Sequence, residues 1–135
     1  MTAYDVAAWT DFANTGVPAR AAATLAVTVA ILLTAVFVAT PGQDHRALAV
    51  EIGMVGVVTA VLTAVFGTKQ RSSPHPARAL TSMVLLCVPA LLLIVGGVSV
   101  WSQSGGGLYW VTAAVAVGFA SATGNAWVLL VEIKR

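Results

Sequence analysis

Four uninterrupted apolar runs, each of bilayer-crossing length, dominate this chain: 19–40, 47–68, 80–101 and 108–131. A hydrocarbon core of about 30 Å needs roughly 20 helical residues at about 1.5 Å each. The runs hold 22, 22, 22 and 24 residues and meet that length. Composition points the same way. Of 135 residues 59% are hydrophobic and 9% charged, whereas a soluble domain carries about 25% charged residues. So few charges could not screen this much apolar surface from water.

Backbone groups in lipid must pair within their own segment or in a closed barrel. Barrel strands alternate apolar and polar residues over about ten positions, and no stretch here does so. The expected fold is therefore all-α: an integral membrane four-helix bundle, up-down-up-down, forming one transmembrane domain over 1–135. Residues 1–18 are read as an N-terminal segment on the cytoplasmic side. They carry Asp5 and Asp11 and no Lys or Arg, unlike a secretory signal, which starts with positive charge. The first run is read as a retained helix. Trp9 and Phe12 fit a short segment lying against the inner headgroups.

Lys and Arg gather on the cytoplasmic side of membrane proteins. Four crossings put Arg20, Lys69, Arg71, Arg78, Lys134 and Arg135 on one face and Arg46 alone on the other. Both termini are expected in the cytoplasm. Trp101, Tyr109 and Trp110 fall at the opposite end, where an aromatic belt would lie, and Trp127 toward the inner end. The net charge of +2 sits at helix ends and forms no phosphate-tracking stripe, so no nucleic-acid partner is expected. The bilayer is the expected partner.

The connections are short. Pro41-Gly42-Gln43-Asp44 reads as a turn, Ser72-Ser73-Pro74-His75-Pro76 as a break, and Ser102 to Gly107 as a polar link. Sequential helices are then antiparallel neighbours.

Lipid tails are as apolar as Leu, so membrane helices associate through close approach at small residues and through polar bonds. The fourth run carries Ala114, Gly118, Ala122 and Ala126 at four-residue spacing, with a second row at Ala116, Ala120 and Gly124. The second run has Gly56, Ala60 and Ala64, and the first has Ala22, Ala26 and Ala30. Two readings stand: a face for a homo-oligomer or larger complex, or packing within the monomer. The latter carries more weight in so Ala-rich a chain. Pro89, mid-run, cannot donate to the Leu85 carbonyl and predicts a kink. It reads as a static bend, or as a hinge.

Two polar residues inside the runs are candidates for chemistry. Glu51 lies about one turn inside the outer boundary. It reads either as a proton or cation site, or as an interfacial residue paired with Arg46 or the outer loop, the second being favoured. Asn125 lies deeper in the fourth run, where an amide seeks a partner on another helix. A polar path through Glu51, Asn125 and the threonine pairs Thr24/Thr28 and Thr59/Thr63 would suit a small channel or transporter. Membrane threonines more often bond back to their own helix. Glu132 beside Lys134 and Arg135 reads as a solvated helix end. Cys87 is the only cysteine and reads as an apolar packing residue. His45 and His75 fall on opposite faces and cannot share a metal. No metal spacing, phosphate loop or nucleophile motif is present. No catalytic residue, cofactor or metal is assigned, and no enzyme is expected.

Three stretches resemble a known family: Pro41-Gly42-Gln43 followed by Glu51; Gly105-Gly106-Gly107-Leu108-Tyr109-Trp110; and Asn125-Ala126-Trp127-Val128-Leu129-Leu130-Val131-Glu132-Ile133. Together they are similar to a family of small bacterial polytopic membrane proteins of unknown function, some of whose members are labelled modulators of a membrane protease. The resemblance implies a multi-pass protein of the bacterial cell membrane and carries no catalytic residue. Family members place an extra apolar segment between a start like Tyr4…Trp9-Thr10-Asp11-Phe12 and a stretch like Pro18-Ala19-Arg20. This chain resembles a version lacking that first helix.

Overall fold

The computed structural model describes residue 6, residues 17–70 and residues 76–133. The expected segment around Trp9 and Phe12 lies outside the described residues, as do the 71–75 connection and Lys134 and Arg135. Four helices follow one another: α1 (Val17–Ala39), α2 (His45–Gln70), α3 (Pro76–Ser102) and α4 (Gly107–Ile133). All four are long and apolar enough to cross a membrane. Most begin or end a few residues beyond the apolar runs. A polar residue at the headgroups can still close helical hydrogen bonds, so the helix outlasts the apolar stretch.

Local chemistry sets the ends. Pro41 cannot continue α1, and Gly42 turns the chain at φ +75°, a conformation that strains residues with a Cβ. Asp44 stands in the N-cap position of α2, and its carbonyl accepts from the Leu48 N–H at 3.0 Å. Pro76 opens α3 where its missing N–H costs nothing. Between α3 and α4 the Ser99 hydroxyl donates to the Ser104 carbonyl, and Trp110 Nε1 donates to the Gly105 carbonyl at 2.9 Å.

The helices form an antiparallel ring in which each packs on its sequence neighbour, and α1 closes on α4. Across the diagonals, α1 touches α3 lightly, and α2 and α4 do not meet among the described residues. Ile52, Leu93, Val111 and Ala114 make a core cluster toward the end that holds the α1–α2 and α3–α4 turns, called outer for its place in the bundle alone. Ala23, Val27 and Leu86 make an inner one, with Ile31 and Phe66 against it. The outward faces are Leu- and Val-rich on α1, α2 and α3, as a lipid solvent requires.

Backbone proximity is greatest between α2 and α3. A Cβ placed on Gly97 would lie 2.9 Å from the Gly53 nitrogen and 3.0 Å from the Ala49 oxygen. One on Gly56 would lie 2.9 Å from the Ile94 nitrogen. Here small residues let two backbones touch, the main attraction available between apolar helices in lipid. Arg46 completes this pair at the outer end, with its guanidinium 6.0 Å from the centre of the Trp101 ring.

Candidate functional site

The polar residues inside the bundle form two separate clusters, one at each end. The inner cluster joins α1 to α4. Asn125 Nδ2 donates to Thr24 Oγ1 at 2.7 Å, and Arg20 Nη2 donates to Asn125 Oδ1 at 3.3 Å. Thr24 Oγ1 in turn donates to the Arg20 carbonyl at 2.9 Å. Asn125 is buried. Its amide thus finds the interhelical partners that its depth demands. Arg20 stands within the first turns of α1, and its guanidinium meets the amide.

The outer cluster joins the α1–α2 turn to α2. Gln43 Nε2 donates to Glu51 Oε2, while Gln43 Oε1 is buried without a hydrogen-bond partner. Glu51 therefore meets the outer loop. Arg46, the other partner expected for it, turns to Trp101 instead. Successive residues diverge by about 100° around a helix, and Glu51 and Arg46 face different neighbours. His45 Nδ1 lies 3.0 Å from Asp44 Oδ1 at the exposed start of α2.

The two clusters do not share an interior. Asn125 lies about 27 Å along α4 from its start at Gly107, at about 1.5 Å per residue, whereas Glu51 sits in the second turn of α2, at the other end of the bundle. Between them the interior is mostly apolar, with buried Thr59, Thr63 and Ser121 as its polar side chains. A central cavity with about 10 Å³ open to the centre of a water molecule is lined by Val27, Ala30, Ile31, Thr59, Pro89, Ala90, Leu93, Ala114 and Val115. Its one hydroxyl, on Thr59, is already given to the Val55 carbonyl at 2.7 Å. With that hydroxyl engaged, the space offers a water molecule too few polar partners to hold it.

The threonines are absorbed in the same local way. Thr24, Thr28, Thr34 and Thr63 each donate to the carbonyl four residues earlier. The hydroxyl of Thr63 also lies 3.7 Å from the Cys87 sulfur. Among the described residues no three His, Cys, Asp or Glu come together as a metal site.

The small-residue row of α4 changes character along its length. Ala114 is buried, and Gly118 packs inside the bundle, where a Cβ would lie 2.9 Å from Ile31 Cδ1 and 3.3 Å from Pro89 Cβ. Ala122 is half-buried and Ala126 is exposed. The cause is geometric: each four-residue step advances about 40° at 3.6 residues per turn, so the row winds from the core to the outside. Pro89 is itself buried against this row, its ring filling the space that Gly118 leaves.

The outward face of α4 is a different set. Thr112, Ala116, Ala120, Thr123 and Gly124 are exposed together with Phe119, and Tyr109 and Trp127 bracket them at 84% and 69% exposure. A Cβ on Gly124 would meet nothing within 4 Å. Spacings of three and four keep Tyr109, Thr112, Ala116, Ala120, Thr123 and Trp127 in line, as 3.6 residues per turn requires. The sequence shows part of this face as the row Ala116, Ala120 and Gly124; counting threonine with the small residues extends it to Thr112 and Thr123.

No protein-family model, no characterised protein and no solved structure matches this chain. The site therefore rests on its own geometry, in a multi-pass membrane bundle of four helices.

Proposed function

We propose that this chain is a non-enzymatic accessory protein of a bacterial cell membrane, with both termini in the cytoplasm. It holds a second transmembrane helix, from another copy or from a larger complex, against the outward face of α4. One observation carries the reading. Four in-line small or hydroxyl residues, Thr112, Ala116, Ala120 and Thr123, face outward beside a single large side chain, Phe119, whereas α1 presents Leu25, Val29, Leu32 and Val36 to the same surroundings. A face meant only for lipid has no need to be shallow. A shallow one lets a partner backbone approach closely, the interaction that holds helices together in a bilayer.

The test replaces Ala116 and Ala120 with Leu and follows association in liposomes by energy transfer between labelled copies, with copurification from native membranes alongside. Loss of association with an intact bundle supports the reading. Association unchanged in both assays removes it. The separation of Glu51 from Asn125 by a mostly apolar interior favours this reading over a conducting path.

A further inference from the structure

We infer that α1 is a movable arm, hinged at the Thr40–Asp44 turn and clasped at its far end by Asn125, while α2, α3 and α4 form a rigid block. The argument rests on how each helix is held. α3 meets both α2 and α4 with close backbone approach. Cβ atoms built on Gly97 and Gly56 would strike main-chain atoms of the facing helix at 2.9 Å, and one on Gly96 would lie 3.3 Å from the Val111 nitrogen. α1 contains no glycine. Its tightest glycine contact, to Gly118, is made by the flexible tip of Ile31.

The buried apolar side chains of α1, Ala23, Val27 and Ala30, do not fix it as they would in water, and buried Thr34 bonds only back to its own helix. Lipid tails offer nearly the same environment, so leaving the bundle costs them packing alone. What distinguishes the docked position is polar: the bonds from Asn125 to Thr24 and from Arg20 to Asn125. The α1–α4 seam is the one junction of the ring that no connection bridges, and it is the least extensively packed of the four. The central cavity reaches α1, where Val27, Ala30 and Ile31 form part of its wall. At the other end, Gly42 at φ +75° provides the turn about which the arm moves.

The experiment uses the full chain in liposomes in a Cys87→Ser background, with paired spin labels and distance distributions from pulsed electron resonance. One pair, Leu25→Cys with Val128→Cys, spans the α1–α4 seam from exposed positions. The control pair, Val65→Cys with Val84→Cys, spans α2 and α3 near the same end. The seam pair is expected to show a longer-distance component absent from the control. Asn125→Leu is expected to raise that component several-fold, and Thr24→Val by less, with the control unchanged. Equally narrow distributions for both pairs in the unmodified protein overturn the inference, whether or not Asn125→Leu folds. So does equal broadening of both pairs in either variant.

Discussion

The Asn125 amide donates to the Thr24 hydroxyl at 2.7 Å, tying the inner half of α4 to the first turns of α1 across 101 residues of chain. It joins two helices directly, side chain to side chain. Interhelical hydrogen bonds of this kind average about 0.6 kcal/mol and reach about 1.7 kcal/mol. Asn125→Leu removes both this bond and the one from Arg20, and the two former partners remain in place. The expected loss is about 1–2 kcal/mol of bundle stability, with Thr24→Val costing less, as measured by reversible unfolding in mixed micelles. Equal, negligible losses for both would show that the cluster contributes no stability.

The α2–α3 contact makes a steric prediction. A side chain on Gly97 must push against the Gly53 and Ala49 backbone, and backbone cannot move aside as a side-chain tip can. Gly97→Val should cost about 1–3 kcal/mol, the usual range for overpacking. Gly124→Ala, into open space on α4, should be neutral or gain up to about 1 kcal/mol from helix propensity. Gly118→Ala should fall between, since Ile31 Cδ1 can turn away. Thermal unfolding of the three variants in one detergent gives the order.

Glu51 accepts a hydrogen bond from Gln43 and lies far from Asn125. Glu51→Gln keeps an acceptor for Gln43, so it should change stability by less than about 1 kcal/mol, within the range of a single exchanged hydrogen bond. With a mostly apolar interior between the two polar ends, liposomes containing the protein should pass protons no faster than empty ones. Proton flux above that background, abolished by Glu51→Gln, would revive the polar path.

Pro89 and Gly118 fill one another's space. Pro89→Ala restores a backbone donor to α3 but leaves a gap beside Gly118, so its effect on stability should be small. Gly118→Leu has no gap to enter and should prevent the bundle from assembling. Association measured after Gly118→Leu would therefore report folding, whereas Ala116→Leu and Ala120→Leu test the outer face.

The four helices were legible in the sequence because the bilayer sets their length, and a run of about 20 apolar residues has few other uses. Their antiparallel order followed from short connections. The partners of Asn125 and Glu51 were not legible: Thr24 stands 101 positions from Asn125, and Gln43 reaches Glu51 only through the turn. Four-residue spacing suggested one continuous face for Ala114 through Ala126. Helical drift carries that row out of the core, and the outward line at Thr112, Ala116, Ala120 and Thr123 needs the angle of each residue, not its interval alone. The choice of neighbour for Arg46 depends on where Trp101 ends α3, which is a property of the whole bundle.

The central claim, that the chain crosses a bilayer four times, is tested most directly by single cysteines in a Cys87→Ser background. Gly42→Cys, His75→Cys, Ser104→Cys and Val57→Cys are each exposed to a membrane-impermeant maleimide in sealed vesicles of one orientation. Positions 42 and 104 should react from one side only, position 75 only from the other, and position 57, mid-helix in α2, from neither. Reaction of 42, 75 and 104 from the same side, or ready reaction at 57, would contradict it.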